Sequence, residues 1–410
     1  MSKTLTLATI TLIGELFYPP LKRVFFRNNI EPMASIKTEN KLALSTFLSQ
    51  GAIVIFNFTL VYYLRECGIN SVGIGVASSI YPTLYFLGCI FMPKVLPSIN
   101  GKTRILMADI GMALSGIILT LIKNEALIMV DLVFYGLFQS LLWTNMETWI
   151  TGGKEGDELT SRLTLFNFSW SFSVGLATSF SGFVSEYSTR LSIWSGCTFF
   201  LISALLVALS GRSYDSKEKK EEVIEIDNSS PLRFPSWIGV LLVYTGYSLV
   251  LTVFPQYALD NLGYSESITG NILLFRGISV TIAFLIMQKN RAWQKGVGPI
   301  LLSQSLFALL TFLILAFKSI PASAVLFALY GGVFALSYNL SIFHGAEGAK
   351  ERHKRMVIHE VLLTIGTIVG SLVGGFVYQY FSFKTLVLTI TVISLSTVVV
   401  ESFVVFIKRK

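Results

Sequence analysis

Residues 161–187 read SRLTLFNFSWSFSVGLATSFSGFVSEY, and residues 354–380 read KRMVIHEVLLTIGTIVGSLVGGFVYQY. The two align without a gap at a constant offset of 193. Arg162 falls on Arg355, Gly182-Phe183-Val184 on Gly375-Phe376-Val377, and Tyr187 on Tyr380. Where identity is lost, small size is kept: Ser173 pairs with Gly366, Ala177 with Gly370 and Ser181 with Gly374. Residues four apart share one face of a helix. In lipid, apolar burial cannot drive helices together, and a groove of small residues lets two backbones approach for van der Waals packing. Each segment therefore predicts a membrane-spanning helix with a close-packing stripe, and the pair predicts an internal duplication.

The rest of the chain extends the pattern. The composition is 53% hydrophobic and 14% charged with mean hydropathy +0.66, against about 25% charged for an ordinary soluble chain. That balance predicts an all-α integral membrane protein. Apolar runs long enough to cross, given about 20 residues per span, fall near 42–64, 72–92, 104–122, 126–149, 163–184, 190–211, 236–257, 266–287, 297–317, 320–343, 357–378 and 385–407. The one long polar interval, 212–235, divides these twelve spans six and six. ECGINSVGIG after the first span parallels DNLGYSESITG after the seventh, placing Gly68 on Gly263 and Gly75 on Gly270. The expected organisation is a six-helix unit over 41–211, a linker over 212–235 and a second six-helix unit over 236–410. Residues 1–40 stand apart as an extension. Its apolar run ends at Pro19-Pro20, too short to span, and the polar leader opening at Met33 suggests that translation starts there; an interfacial helix or a cleaved signal is the competing reading.

Charge sets the expected orientation. With the N-terminus on the inner side, 26 of the 32 Lys and Arg residues lie in inner segments. The outer loops hold only Arg65, Lys123, Arg190, Lys318 and Lys384, and Arg276 lies inside a span. Basic residues accumulate on the cytoplasmic side of membrane proteins, so both termini and the linker are expected in the cytoplasm, in the plasma membrane. The net charge of +8 thus reads as topology rather than as a nucleic-acid surface. Cys67, Cys89 and Cys197 show neither disulfide nor metal spacing. Gly101-Lys102-Thr103 has the tail of a phosphate-binding loop but not its first glycine, that position being Leu96. No metal site, no cofactor and no enzymatic activity are expected.

Twelve spans in two six-helix repeats, a charged central loop and a basic loop after the second span together resemble the major facilitator superfamily of secondary transporters, over residues 41–410. The family's G-x-L-a-D-r-x-G-r-K loop corresponds here to the stretch from Lys94 through Leu96, Ser98, Gly101 and Lys102 to Arg104, with Ser98 in place of the aspartate. Span eleven carries Gly366, Gly370, Ser371, Gly374 and Gly375, the glycine spacing of the family's antiporters with serine in place of proline. The resemblance implies alternating access, with spans one, four, seven and ten around a central cavity. It thereby brings Gln50, Asn57, Gln139, Trp143, Tyr244, Tyr247, Tyr338 and Asn339 toward that cavity. Gly101, Lys102, Arg104, Arg162 and Arg355 become candidates for the inner gate.

Ionisable groups inside spans cost at least a few kcal/mol and so need a partner, a wet cavity or a function. Arg276, near the middle of span eight, is a candidate for binding an anionic group or a titratable carboxylate, with a static ion pair as the alternative. Asp131 and Glu147, near opposite ends of span four, could carry a coupling proton; Asp131 could also reach the outer interface, and Glu147 could join an inner network with Arg162 and Arg355. His359 and Glu360 lie one turn into span eleven, opposite Phe166 and Asn167. Adjacent helical residues diverge by about 100°, and Glu360 is the one expected to face the cavity. The function this predicts is a monomeric transporter of a small organic solute, coupled to protons or sodium, with export ahead of uptake. The alternatives are a sensor or scaffold that keeps the fold, and a lipid-handling protein.

Overall fold

A computed structural model describes residues 38–152, 156–212, 228–349 and 352–408. The proposed start at Met33 and most of the linker lie outside the described residues. Fourteen α-helices carry the described chain: α1 (Thr38–Glu66), α2 (Ser71–Val95), α3 (Gly101–Leu121), α4 (Glu125–Gln139), α5 (Trp143–Thr151), α6 (Gly156–Tyr187), α7 (Thr189–Ala208), α8 (Arg233–Thr252), α9 (Phe254–Leu262), α10 (Glu266–Lys289), α11 (Gly298–Leu313), α12 (Ile320–Ala346), α13 (Arg352–Tyr380) and α14 (Phe383–Lys408). No strand occurs among the described residues.

Short polar residues set many of the helix starts. Asn70, Asn100 and Asn124 accept hydrogen bonds from the N–H groups of Gly73, Thr103 and Leu127 at 2.9, 2.9 and 3.1 Å. Ser188 and Ser265 do the same for Leu191 and Ile268. Each satisfies one of the donors that a helix N-terminus leaves open. Gly68 and Gly263, matched by the sequence repeat, both take positive φ, 81° and 65°. Both end a helical run in the conformation that a residue without Cβ adopts most readily.

Among the described residues ten helices, α4 and α5 counted as one, are long and apolar enough to cross a membrane. α11 is apolar but only 16 residues long. Two of the expected spans are broken. The fourth turns at Ser140 to Leu142 between α4 and α5, and the seventh is interrupted at Val253, where α9 begins with Pro255 in its first turn. Proline has no N–H to give the helix and tolerates only its first turn.

The buried apolar residues form two cores. One gathers side chains from α1 to α7, among them Phe56, Leu132, Tyr135 and Phe200. The other gathers α8 to α14, with Phe254, Phe307 and Phe327 at its centre, and takes Phe58 and Tyr62 from α1. Between them α6 packs along α10 and α2 along α13. A Cβ added to Gly375 would lie 3.0 Å from the Cα of Gly75, and one added to Gly270 would lie 3.0 Å from the Cα of Gly182. Backbone meets backbone at both crossings, the close approach that small residues permit in lipid.

Polar contacts across the same seam cluster at the end of the bundle that is poor in basic residues. Arg65 at the end of α1 pairs with Asp260 of α9. Ser71 donates its Oγ–H to Gln256 at 2.7 Å and its N–H to Gln379 at 3.0 Å. Ser265 Oγ donates to Glu186 at 3.3 Å, and Ser179 Oγ to Asn271 at 2.6 Å.

Candidate functional site: a central cavity with two carboxylates

Glu360 follows His359 on α13, and the two diverge. His359 is buried; its Nδ1 lies 2.7 Å from Ser341 Oγ and its ring stands edge-on to Tyr338, centroids 5.1 Å apart. Glu360 is exposed. Its charge acts on Tyr85 of α2, Tyr244 of α8 and Tyr338 of α12. Groups on three other helices surround it, so its exposure is to a space inside the bundle. Glu147, exposed on α5, is close enough for its charge to act on Glu360 and on Tyr338. Glu147 on α5 and Glu360 on α13 thus lie within electrostatic reach of each other.

Aromatic rings line the same region. Tyr338 stands 6.5 Å from Tyr244, 5.9 Å from Phe284 and 6.5 Å from Trp170. Tyr244, Tyr247 and Phe334 close a triangle with centroid separations of 5.0 to 5.7 Å. Trp170, on α6, stacks edge-on against Phe284 of α10 at 5.8 Å and so carries the aromatic surface across the seam. Asn167 Oδ1 accepts a hydrogen bond from Trp170 Nε1 at 3.0 Å, which fixes that ring.

Arg276 is 1% exposed on α10, with its guanidinium 4.7 Å from the centroid of the Tyr247 ring. Its Nε has no hydrogen-bond partner, and no carboxylate pairs with it among the described residues. A buried cation over an aromatic face is a genuine attraction, but it does not replace the hydration given up. Arg276 therefore remains under-satisfied.

The other sequence candidates fall elsewhere. Asp131 is buried in the first core and accepts from Ser115 Oγ at 2.9 Å. Trp143 stacks edge-on against Phe166 at 6.3 Å, and Asn339 Nδ2 lies 3.6 Å from Met287 Sδ. Lys102 donates to the carbonyls of Ala208 and Ser210 and so caps α7, while Arg104 donates to the Leu96 carbonyl. Gly101 opens α3 behind the Asn100 cap. Arg162 pairs with Glu39, and the Arg355 guanidinium lies 5.8 Å from the Trp237 ring centroid. A surface cavity of about 590 Å³ lies apart from all of these, lined by Tyr257, Asn261, Lys318, Tyr378 and Lys384 among others.

Two buried carboxylates escaped the sequence reading. Asp109, fully buried on α3, and Glu401, 9% exposed on α14, both sit inside apolar runs. The rule that singled out Arg276, an ionisable side chain within a span, applies equally to both.

Comparison with known proteins places this arrangement. The sequence profile of the Major Facilitator Superfamily matches residues 42–342. The chain belongs to that superfamily, and it is a multi-pass membrane protein of a transporter fold. Among solved structures it is similar to the nucleoside transporter NupG, with TM-score 0.71, 14% identity and coverage of 92% of this chain and 100% of that one. It is also similar to a POT family transporter in complex with a thioalcohol-conjugated peptide (TM-score 0.69, 12% identity, 90% and 96% covered). A bacterial homologue of the human lysosomal transporter Spinster, in an inward-facing and unoccupied conformation, is a third (TM-score 0.65, 12% identity, 86% and 83% covered). At these identities the likeness concerns the fold. No curated protein matches the sequence.

Proposed function

We propose that the chain is a proton-coupled secondary transporter that exports an amphipathic organic cation by alternating access. The observation that carries this reading is Glu360 beside the aromatic cluster of Trp170, Tyr244, Phe284 and Tyr338, with Glu147 within electrostatic reach. Aromatic faces supply area and attract a cation, and carboxylates supply the opposite charge. Two like charges that face each other favour binding of a cation or a proton between them. Glu360 takes up either occupant, so the two compete, and competition for one site is the basis of exchange. Arg276 beneath Tyr247 then sets the far end of the cavity positive and orients the solute's cationic group toward the acids.

The seam contacts support the mechanical half of the proposal. The positions matched by the repeat, Gly75 with Gly270 and Gly182 with Gly375, form two equivalent crossings, which favours two six-helix units related by duplication. Arg65–Asp260 and the Ser71 contacts hold the basic-poor end shut, while both acids are exposed. With basic residues on the cytoplasmic side, these contacts support an inward-open state, in which turnover requires the Arg65–Asp260 pair to break. The test is binding of a permanently charged aromatic cation to purified protein. Wild type binds it and releases protons; Glu360→Gln binds it at least tenfold more weakly. Equal binding of an aromatic carboxylate by wild type would overturn the choice of substrate class.

A further inference from the structure

Asp109 is fully buried on α3, in the first core and away from the central cavity. Three serines surround it: Ser45 and Ser49, four apart on one face of α1, and Ser203 on α7. Ser49 Oγ lies 3.0 Å from Asp109 Oδ1, and Ser203 Oγ lies 2.7 Å from Oδ2. The serines also touch one another, with Ser49 Oγ to Ser203 Oγ at 2.7 Å and Ser45 Oγ to Ser203 Oγ at 2.6 Å. These four oxygen–oxygen contacts lie within 3.0 Å and each needs one hydrogen between its oxygens, whereas the Ser45 carbonyl, 3.4 Å from Ser203 Oγ, is too distant to require one of its own.

Three hydroxyls supply three hydrogens. An ionised carboxylate only accepts, so one contact would press lone pair against lone pair. A fourth hydrogen on Asp109 closes the count. Asp109 Oδ1–H then donates to Ser49, Ser49 and Ser45 donate to Ser203, and Ser203 donates to Oδ2. Ser203 accepts two bonds and gives one, its full capacity. A sodium ion is a poorer occupant, because oxygens sharing a metal cannot also sit 2.6 to 2.7 Å apart as hydrogen-bonded pairs.

Charged groups on the neighbouring elements are all engaged elsewhere. On α1, Lys41 donates to the Leu209 carbonyl, Glu39 pairs with Arg162, Arg65 with Asp260, and Glu66 accepts from Thr189. On α3, Lys102 and Arg104 bond backbone carbonyls. On α4, Asp131 takes Ser115, and Glu125 lies in the first turn, where the helix opens; on α7, Arg190 also lies in the first turn and Cys197 contributes no charge contact to Asp109. Glu147 on α5 faces the cavity. Among the described residues no charged group acts on Asp109 to balance its ionised form.

We propose that Asp109 is a proton-binding site, a neutral carboxylic acid whose bound proton completes a four-bond network tying α1, α3 and α7 into one rigid unit. Infrared difference spectroscopy between wild type and Asp109→Asn tests it. The expected result is loss of a carboxylic-acid C=O band that shifts in D2O, with no loss of carboxylate bands. Asp109→Asn, which keeps an acceptor and supplies an N–H, melts within about 2 °C of wild type, whereas Asp109→Ala melts at least about 4 °C lower. Ser203→Ala, which removes the hydrogen bond to Oδ2, moves the C=O band to higher frequency and carries the test should Asp109→Asn not fold. Loss of carboxylate bands instead of the C=O band, an unmoved band in Ser203→Ala, or stabilisation of wild type but not Asp109→Asn by sodium would overturn the proposal.

Discussion

Arg276 is held at a cost that packing alone does not explain. It is buried, stacked on Tyr247, and without a carboxylate among the described residues. A buried charge without a compensating partner carries a desolvation penalty of several kcal/mol, which an apolar side chain of similar length avoids. Arg276→Met is therefore expected to melt at or above the wild-type temperature while losing at least tenfold in transport, measured by thermal unfolding and by flux on the same preparation. A fall in both together would make Arg276 a structural residue. Its position inside a span marked it in the sequence; that Tyr247 would lie over it did not follow, because the two belong to different helices and nothing in the sequence fixes the rotation of one against the other. The same gap hid the proximity of Glu147 and Glu360. Asp109 is a different case, since its sequence context M-A-D-I-G inside an apolar run was as legible as that of Arg276.

At the scale of elements, the matched glycines of the expected repeat do not show from the sequence which backbones touch. Gly75, Gly182, Gly270 and Gly375 stood out as matched small residues, yet the alignment pairs Gly75 with Gly270 and Gly182 with Gly375, whereas the backbones that touch are Gly75 with Gly375 and Gly182 with Gly270. Positions that align in sequence need not meet in space, and here each aligned glycine lies against a glycine of the other aligned pair. Larger side chains at these crossings force two backbones apart, and overpacking of this kind costs about 1–3 kcal/mol. Gly270→Leu and Gly375→Leu are each expected to lower the melting temperature by several degrees, while Leu at lipid-facing Val373 is without effect. The break at Ser140–Leu142 was not legible because it lies within an unbroken apolar run, whereas Pro255 marked the one at Val253 in the sequence. The helix starts are a firmer matter: Asn100→Ala removes the cap of α3 and should cost about 1 kcal/mol in thermal unfolding.

The whole molecule is two helical cores joined along α6–α10 and α2–α13, shut at the basic-poor end and exposing two acids between the cores. Rigid cores that rock about such a seam must separate Arg65 from Asp260 in each cycle. Arg65→Cys with Asp260→Cys is expected to abolish transport when oxidised and to regain it on reduction, which a static scaffold would not show. The most direct measurement is flux of a quaternary aromatic ammonium into proteoliposomes with an acidic interior. A permanent charge keeps the probe from collecting in acid vesicles without a carrier. Exchange for protons predicts accumulation inside, lost on adding a protonophore and absent with Glu147→Gln/Glu360→Gln. Accumulation no greater than in protein-free vesicles, for wild type shown to bind the same cation, would contradict it.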